Sequence, residues 1–250
     1  MNPCRFGLIG YPLEHSASAG YFAEKFKREG LSGFSYSLFP LMHVDEVRAL
    51  IAGTARLQGF NVTIPFKESI IPFLDRLDPL AAGIGAVNTV LIRHTGGLAE
   101  LIGYNTDAGG FKSSLDPGFP YTHALILGTG GSAKAVAFIL KEMGLEVLHV
   151  SRTKKSENII RYDELSAGLL KKFTFIVNCT PAGMFPDTET APPLPFGLLG
   201  PQHYVYDLVY KPPETKLLHL ARAEGAKVQN GIKMFENQAE LSFGIWMNAK

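Results

Sequence analysis

The stretch "HALILGTGGSAKAVAFILKEMG", residues 123–144, limits what this chain can fold into more than any other. It opens with an apolar run typical of a buried strand, passes through a glycine turn and continues as a helical pattern. Gly128, Gly130 and Ala133 have the G-x-G-x-x-A spacing. The first glycine allows a tight turn, the second lets a pyrophosphate approach the backbone, and the small third residue lets helix and strand pack closely. Helix N-terminal amides would face the anion, so we interpret the stretch as a nucleotide-binding unit rather than an ordinary turn.

Further strand patterns follow this unit at regular spacing. They are "LEVLHVS" (145–151), "FTFIVNCT" (173–180) and "YVYDLVY" (204–210). Strand and helix alternating in this way predict a doubly wound parallel α/β sheet. The segment 181–195 is rich in proline and polar residues, which indicates a loop.

The end of the second strand of this sheet indicates which nucleotide binds. An NAD site normally has an acidic residue there, whereas this chain has Ser151, Arg152 and Thr153. A guanidinium group suits a 2′-phosphate because it offers paired donors and a fixed charge. Lys154 and Lys155 add positive charge. A basic surface loop is the alternative interpretation, but the glycine motif upstream favours NADP(H).

The first hundred residues predict another α/β layer. Strand patterns cover 5–10, 34–40 and 57–63, and a hairpin of 86–93 and 98–104 gives the layer a partly antiparallel edge. Helical patterns run from Ala17 to Glu29 and from Val44 to Ile51. The final stretch, 231–250, predicts one helix whose apolar stripe comprises Ile232, Phe235, Ala239, Phe243 and Trp246.

Composition excludes several classes of protein. Of 250 residues 46% are hydrophobic and 19% charged, with a net charge of +1, which gives no electrostatic footprint for nucleic acid or a membrane surface. No run approaches the roughly 18 apolar residues of a membrane span, and the N-terminus lacks a signal-peptide pattern. Cys4 and Cys179 lie in unrelated segments and the histidines are scattered, so neither a disulfide nor a metal site is expected. We expect a soluble cytoplasmic protein.

Two residues are candidates for acid–base work on a carbonyl oxygen. Lys67 ends "NVTIPFK", where Pro65 is expected to terminate the strand, and Asp107 opens a predicted helix in "GYNTDAGGF". Alone, the first is an ordinary surface lysine and the second a helix-capping acid. Polar residues gather at other strand-to-helix junctions, in "SAS" (16–18) and "GAVNT" (85–89), where α/β sheets bind ligands.

Taken together, these segments resemble the shikimate dehydrogenases. The matching stretches occur in the family's order and span nearly the whole chain: "GLIGYPLEHSASA", "GFNVTIPFK", "GAVNTV", "GYNTDAGGF", "LGTGGSAKA", "SRT", "NCTPAGM", "YDLVYKPPETKLL" and "NGIKMFENQAELSF". The resemblance implies a substrate-binding catalytic domain of residues 1–108 with 231–250, and a Rossmann-type NADP-binding domain of residues 109–230. It also implies reversible NADPH-dependent reduction of 3-dehydroshikimate to shikimate, by a monomer or homodimer.

The same resemblance assigns roles to individual residues. Lys67 and Asp107 would be the catalytic pair. The substrate would be bound by the pair together with Ser16, Ser18, Thr63, Asn88, Tyr210 and Gln238. The cofactor would be bound by Gly128, Thr129, Gly130, Gly131, Ser132, Ala133, Ser151, Arg152, Thr153, Thr180, Leu208 and Gly231.

The chain departs from the family pattern at several positions, among them the loop after Arg152, where the basic residues are shifted to Lys154 and Lys155. Ala19 stands where the family usually has proline after the paired serines, and Ser151 stands where it has asparagine. Two other functions compete. One alternative is a paralogue that acts on quinate, with NAD. The other is a non-catalytic NADP-binding regulator, against which the retention of Lys67, Asp107 and both serines counts.

Overall fold

The computed structural model describes residues 4–95, 98–116, 118–153 and 156–248. Lys154 and Lys155, which are predicted to add charge to the cofactor site, lie outside the described residues. The chain divides into two compact units. The first unit holds the residues up to Thr106 and those from Ala239 onward, and the second runs from Asp107 to Gln238. In the described part of the chain, no helix is long and apolar enough to cross a membrane.

The first unit is built on a six-stranded mixed sheet. Its strands are β1 (Cys4–Gly10), β2 (Phe34–Pro40), β3 (Leu57–Val62), β4 (Arg76–Leu77), β5 (Thr89–Thr95) and β6 (Leu98–Tyr104). They lie in the order β2-β1-β3-β5-β6-β4. The strand β1 pairs parallel with β2 and β3, whereas β5 pairs antiparallel with β3 and β6. The predicted hairpin and partly antiparallel layer are confirmed.

The described residues form eight α-helices. They are α1 (Ser18–Arg28), α2 (Val47–Gly53), α3 (Pro79–Ile84), α4 (Thr106–Lys112) and, from the second unit, α5 (Gly131–Glu142), α6 (Ala167–Lys172) and α7 (Lys216–Ala223), followed by α8 (Ile232–Met247). The limits of the units fall inside α4 and α8. Local capping starts α3, because the Asp78 carboxylate accepts a hydrogen bond from the Leu80 amide at 2.9 Å.

An aromatic core joins the end of α8 to the sheet of the first unit. Trp246 is 2% exposed, its ring stacks on Phe6 with centroids 4.6 Å apart, and its Nε1 donates to the Val90 carbonyl at 3.0 Å. A side chain at Gly59 would overlap the indole, so the strand must have glycine there. The predicted apolar stripe of α8 is buried at Ala239, Phe243 and Trp246. Ile232 is 41% exposed, so its place in a buried stripe was predicted wrongly.

The second unit contains a fully parallel six-stranded sheet. Its strands are β7 (His123–Leu127), β8 (Glu146–Ser151), β9 (Ile159–Arg161), β10 (Phe175–Asn178), β11 (Tyr204–Asp207) and β12 (Lys227–Gln229). They lie in the order β9-β8-β7-β10-β11-β12, which is the doubly wound order of a dinucleotide-binding fold. This confirms the predicted fold class.

Several details differ from the sequence predictions. The strand β3 ends at Val62, one residue before the end predicted at 63 and three residues before Pro65, which was expected to terminate it. The helix predicted from Val44 starts as a 3-10 turn and becomes α-helical at Val47. The short elements β4, β9, β12, α3, α6 and α7 have too few residues to show a clear period.

Candidate functional site

The glycine turn of the second unit has an open face. Gly128 follows β7 with φ +110°, and its amide donates to the Val150 carbonyl at 2.8 Å. This positive φ, together with Thr180 Cγ2 only 3.2 Å from the place a Cβ would occupy, requires glycine. A Cβ at Gly130 would meet nothing within 4 Å, whereas Ala133 is fully buried. The geometry fits an anion lying against Gly130 at the start of α5.

A side-chain hydrogen bond from the neighbouring strand holds this turn in place. The His149 ring, from β8, lies with Nδ1 3.0 Å from the Gly128 carbonyl oxygen. Burial lowers the pKa of His149, which favours the neutral ring. Because a carbonyl only accepts, Nδ1 carries the proton and donates it to Gly128. The hydrogen bond from His149 thus fixes the orientation of the Gly128 carbonyl.

Asp207 is the buried centre of a hydrogen-bond network beneath the same edge. Its carboxylate accepts from Asn178 Nδ2 at 2.9 Å, the Val209 amide at 3.0 Å and Thr215 Oγ1 at 2.6 Å. Burial raises the pKa of Asp207 to about 6, against the effect of these three donors. Asn178 Oδ1 accepts from the amide and hydroxyl of Thr180, at 3.0 and 2.7 Å. The network therefore places Thr180, a predicted cofactor contact.

Two other predicted cofactor contacts are held by backbone bonds. The Leu208 amide donates to the Asn178 carbonyl at 3.0 Å, and the Gly231 amide to the Val209 carbonyl at 3.2 Å. Any side chain at Gly231 would overlap the Leu208 carbonyl oxygen. The close approach of these two chain segments requires glycine at position 231.

The residues predicted to select the nucleotide lie at the end of β8 and directly after it, where Ser151 is partly buried and Arg152 and Thr153 are exposed. Burial raises the pKa of Tyr162 to about 12, and the positive charge of Arg152 acts in the opposite direction. The Arg152 guanidinium, just after β8, is thus close enough to Tyr162 to interact with it electrostatically. The cofactor candidates Thr129, Gly131 and Ser132 occupy the turn and the first residues of α5.

In the first unit, Lys67 follows a turn that is anchored at both ends. The Thr63 amide donates to the Ile9 carbonyl at 2.9 Å, and the Thr63 carbonyl accepts from the amide of buried Phe66 at 2.9 Å. The Lys67 carbonyl then accepts from the Val87 amide at 2.7 Å. These bonds place the partly exposed Lys67 beyond the carboxyl end of β3, beside the start of β5.

The paired serines lie on the loop next to that turn. The Tyr11 amide donates to the Ile64 carbonyl at 3.0 Å, so the chain leaving β1 runs beside the chain leaving β3. Ser18 is the first residue of α1, and its amide donates to Ser16 Oγ at 3.2 Å. The structure therefore brings the loops that carry Ser16, Ser18, Thr63 and Lys67 to the same edge of the sheet.

Asn88 holds the start of the helix that carries Asp107. Its Oδ1 accepts from the Thr106 amide at 2.6 Å, and its Nδ2 donates to Thr106 Oγ1 at 2.9 Å. Asp107, 5% exposed, is the next residue of α4. The capping acceptor for α4 is therefore the side-chain amide of Asn88, and Asp107 itself lies in the first turn.

The remaining substrate candidates lie in the second unit. The ring of Tyr210 stacks on Phe235 with centroids 4.6 Å apart, and Gln238 Nε2 donates to the Phe235 carbonyl at 3.0 Å. A Cβ at Gly110 would lie 2.8 Å from Gln238 Cβ, so glycine lets α4 and α8 pack closely here. Asp107 and Gln238 thus belong to two helices in direct contact.

Sequence reasoning missed the polar residues that support these candidates. They are the partly buried His149 and the buried Asn61, Thr89, Thr106, Asn178, Asp207, Thr215 and Ser242. Asp207 alone had a usable signal, since an acid inside the apolar run "YVYDLVY" is rarely buried without partners. Among the described residues, no three His, Cys, Asp or Glu side chains are grouped closely enough to hold a metal ion.

A family model and curated relatives that match this chain all carry the name of the same enzyme. Residues 8–90 match the family model of the shikimate dehydrogenase substrate binding domain. The chain is 34% identical to the shikimate dehydrogenase (NADP(+)) of Desulforamulus reducens over 263 residues, covering 96% of this chain and 88% of that protein. It is 38% identical to the enzyme of the same name from Geobacillus kaustophilus, covering 96% and 91%.

A solved structure is similar over the same length. The crystal structure of shikimate 5-dehydrogenase from Thermus thermophilus, in complex with NADP(H) and shikimate, superposes with a TM-score of 0.83. The two sequences are 35% identical, and the match covers 98% of this chain and 94% of the other.

Proposed function

Because the chain belongs to the shikimate dehydrogenase family, we propose that Lys67 and Asp107 are the catalytic pair of an NADP-dependent shikimate dehydrogenase. The enzyme catalyses the reversible NADPH-dependent reduction of 3-dehydroshikimate to shikimate, in aromatic amino-acid biosynthesis. One observation carries the activity. The same chain has a dinucleotide-type glycine turn at the edge of one parallel sheet and an anchored lysine beyond the carboxyl end of β3.

The proposed roles of the pair follow from the charge that the reaction creates. Hydride delivered to a ketone leaves negative charge on the oxygen, and an ammonium group stabilises and protonates that oxygen. Lys67 supplies the ammonium group. The Asp107 carboxylate accepts a hydrogen bond from a substrate hydroxyl and favours the charged form of the lysine. Ser16, Ser18, Thr63, Asn88, Tyr210 and Gln238 orient the substrate.

We assign the cofactor to the second unit. Gly128–Gly131, at the start of α5, would hold the pyrophosphate, and Ser151, Arg152 and Thr153 would bind the 2′-phosphate. Thr180, Leu208 and Gly231 line the rest of the site. NADP(H) supplies the hydride when bound, and the residues of the chain position it. By this assignment residues 1–108 with 231–250 form the substrate-binding domain, and residues 109–230 form the NADP-binding domain.

The assay that tests the function follows the absorbance of NADPH with shikimate and, separately, quinate as substrate. We expect NADP⁺ reduction with shikimate and a lower kcat/KM with quinate. No turnover of either substrate would refute the enzyme assignment in favour of a binding protein. Faster turnover of quinate with NAD⁺ would instead identify the paralogue.

We further propose that the enzyme acts in the cytoplasm as a monomer or homodimer. The two cysteines, buried Cys4 and partly exposed Cys179, are not joined in a disulfide, as in proteins of a reducing compartment. Sedimentation equilibrium would distinguish monomer from dimer.

A further inference from the structure

Three hydroxyl groups from distant parts of the chain meet inside the first unit. Thr89 Oγ1, Thr106 Oγ1 and Ser242 Oγ lie 2.8 to 3.1 Å from one another. Thr89 and Ser242 are fully buried, and Thr106 is 4% exposed. We call these three residues the hydroxyl triangle. Its corners belong to β5, α4 and α8, which are brought together only by the fold.

Two buried side-chain amides donate hydrogen bonds to the triangle. Contacts with backbone groups determine which atom of each amide is the nitrogen and which is the oxygen. Asn61 Nδ2 faces the Asn88 carbonyl oxygen at 3.2 Å, so this atom must be the nitrogen. It also donates towards Thr89 Oγ1 at 3.1 Å and Ser242 Oγ at 3.0 Å. Asn88 Oδ1 faces the Thr106 amide, so Asn88 Nδ2 must be the group that donates to Thr106 Oγ1.

Each corner of the triangle adjoins a residue that is proposed to contact the substrate. Thr89 follows Asn88, and Thr106 precedes Asp107. Ser242 lies four residues after Gln238 on α8, on the same helix face. A small displacement of one corner would therefore move one of the substrate contacts. The triangle thus joins the three segments whose positions must match if Asn88, Asp107 and Gln238 are to contact one substrate.

A purely structural role would not require polar groups here. Burying hydroxyls and amides costs free energy unless every group is bonded, and well-packed apolar residues of similar size are often as stabilising. Buried polar networks instead fix one arrangement of the segments that they join. In the described part of the chain, no buried side-chain nitrogen or oxygen lacks a partner.

We propose that Thr89 and Ser242 are positioning residues for the reaction, acting through the hydroxyl triangle on Asn88, Asp107 and Gln238. They hold the Asn88 amide and the first turn of α4 in register with α8. The inference rests on the proposed function, because it requires those three residues to contact the substrate.

The test compares variants that remove a hydroxyl with one that keeps it. Thr89→Val is isosteric but removes the hydroxyl, Thr89→Ser keeps it, and Ser242→Ala removes a second corner. Ser114→Ala is the matched control, since the buried Ser114 hydroxyl bonds the Phe111 carbonyl at 2.6 Å and the Tyr206 hydroxyl at 2.8 Å in the other unit. For each variant the measurements are Tm, kcat, KM for shikimate, KM for NADP⁺ and calorimetric shikimate binding.

We expect kcat/KM for shikimate to fall at least about tenfold in Thr89→Val and Ser242→Ala, since misplacements of about 1 Å cost up to about a hundredfold. Both should weaken shikimate binding and leave KM for NADP⁺ unchanged. Thr89→Ser should retain most of the wild-type kcat/KM. We expect Thr89→Val, Ser242→Ala and Ser114→Ala each to lower Tm by a few degrees. Ser114→Ala should do so without changing the shikimate kinetics.

Different failures have different meanings. A wild-type protein that does not oxidise shikimate refutes the proposed function and this inference with it. An active wild type with unchanged kcat/KM in Ser242→Ala and Thr89→Val refutes the inference alone. The same conclusion follows if Thr89→Ser loses as much as Thr89→Val, or if Ser114→Ala loses as much as either.

Discussion

Replacing Asp207 by asparagine should remove a specific pH dependence of stability. Burial raises the pKa of this carboxyl from 3.8 to about 6. A folded-state pKa above the unfolded value means that the group stabilises the fold below pH 4 and loses this contribution as the pH rises through 6. At roughly 1.4 kcal/mol for each pH unit, the loss is on the order of 3 kcal/mol.

Asparagine can occupy the same position without leaving a partner unbonded. Its Oδ1 would accept from Asn178 Nδ2 and the Val209 amide, as the carboxylate oxygen does now. Its Nδ2 would face Thr215 Oγ1, and a rotated hydroxyl can accept instead of donate. Asp207→Asn should therefore keep the network, and with it the position of Thr180 and the KM for NADP⁺. Asp207→Ala would leave three buried donors unpaired and should raise that KM.

The assay is thermal unfolding of wild type and Asp207→Asn at a series of pH values from about 4 to 7. The difference in Tm between the two proteins cancels the contributions of all other titrating groups. We expect this difference to shift by roughly 10 °C in favour of the variant as the pH rises. The exposed Asp163 is the control, because hydrogen bonding to Arg161 lowers its pKa. The Asp163→Asn difference should stay nearly constant over this range, because a carboxyl whose pKa lies below 3.8 changes stability only at more acidic pH. A flat Asp207→Asn difference would refute the reasoning, and a reversed one would mean that the three donors outweigh burial.

Three further substitutions test the site and the core. Lys67→Ala should lower kcat by about 10² to 10⁴ with little change in KM, since it removes a group that acts on the developing oxyanion, and a wild-type kcat would exclude Lys67 as a catalytic residue. Arg152→Ala should raise KM for NADPH far more than for NADH, because only NADPH carries the 2′-phosphate; equal rises would contradict the cofactor assignment. Trp246→Ala should lower the free energy of unfolding by about 3 to 5 kcal/mol, as it empties the aromatic core and breaks the bond to Val90. Urea denaturation measures this loss, and the exposed Leu241→Ala on the same helix should have almost no effect.

Sequence periodicity is enough for the long elements and fails for the short ones. The run "HALILG" and the helix after the glycines were predictable because burial on one side imposes a regular pattern over ten or more residues. The strand β12 and the helix α6 span three and six residues, and their existence depends on neighbours that sequence does not order.

The limit is the same inside the candidate site. Lys67 and Asp107 are noticeable in the sequence because a charge beside a strand end is chemically conspicuous. Asn61 lies in the same stretch as Lys67, yet an asparagine within a strand pattern has no local feature that predicts a role. Its amide acts on the Asn88 carbonyl, Thr89 and Ser242, up to 181 residues away. Since each of these bonds is short-ranged and the partners are distant in sequence, only the folded chain shows that Asn61, Asn88, Thr89 and Ser242 form one network. Candidate residues can therefore be named one by one from the sequence, whereas the network that holds a candidate such as Asn88 is a property of the fold.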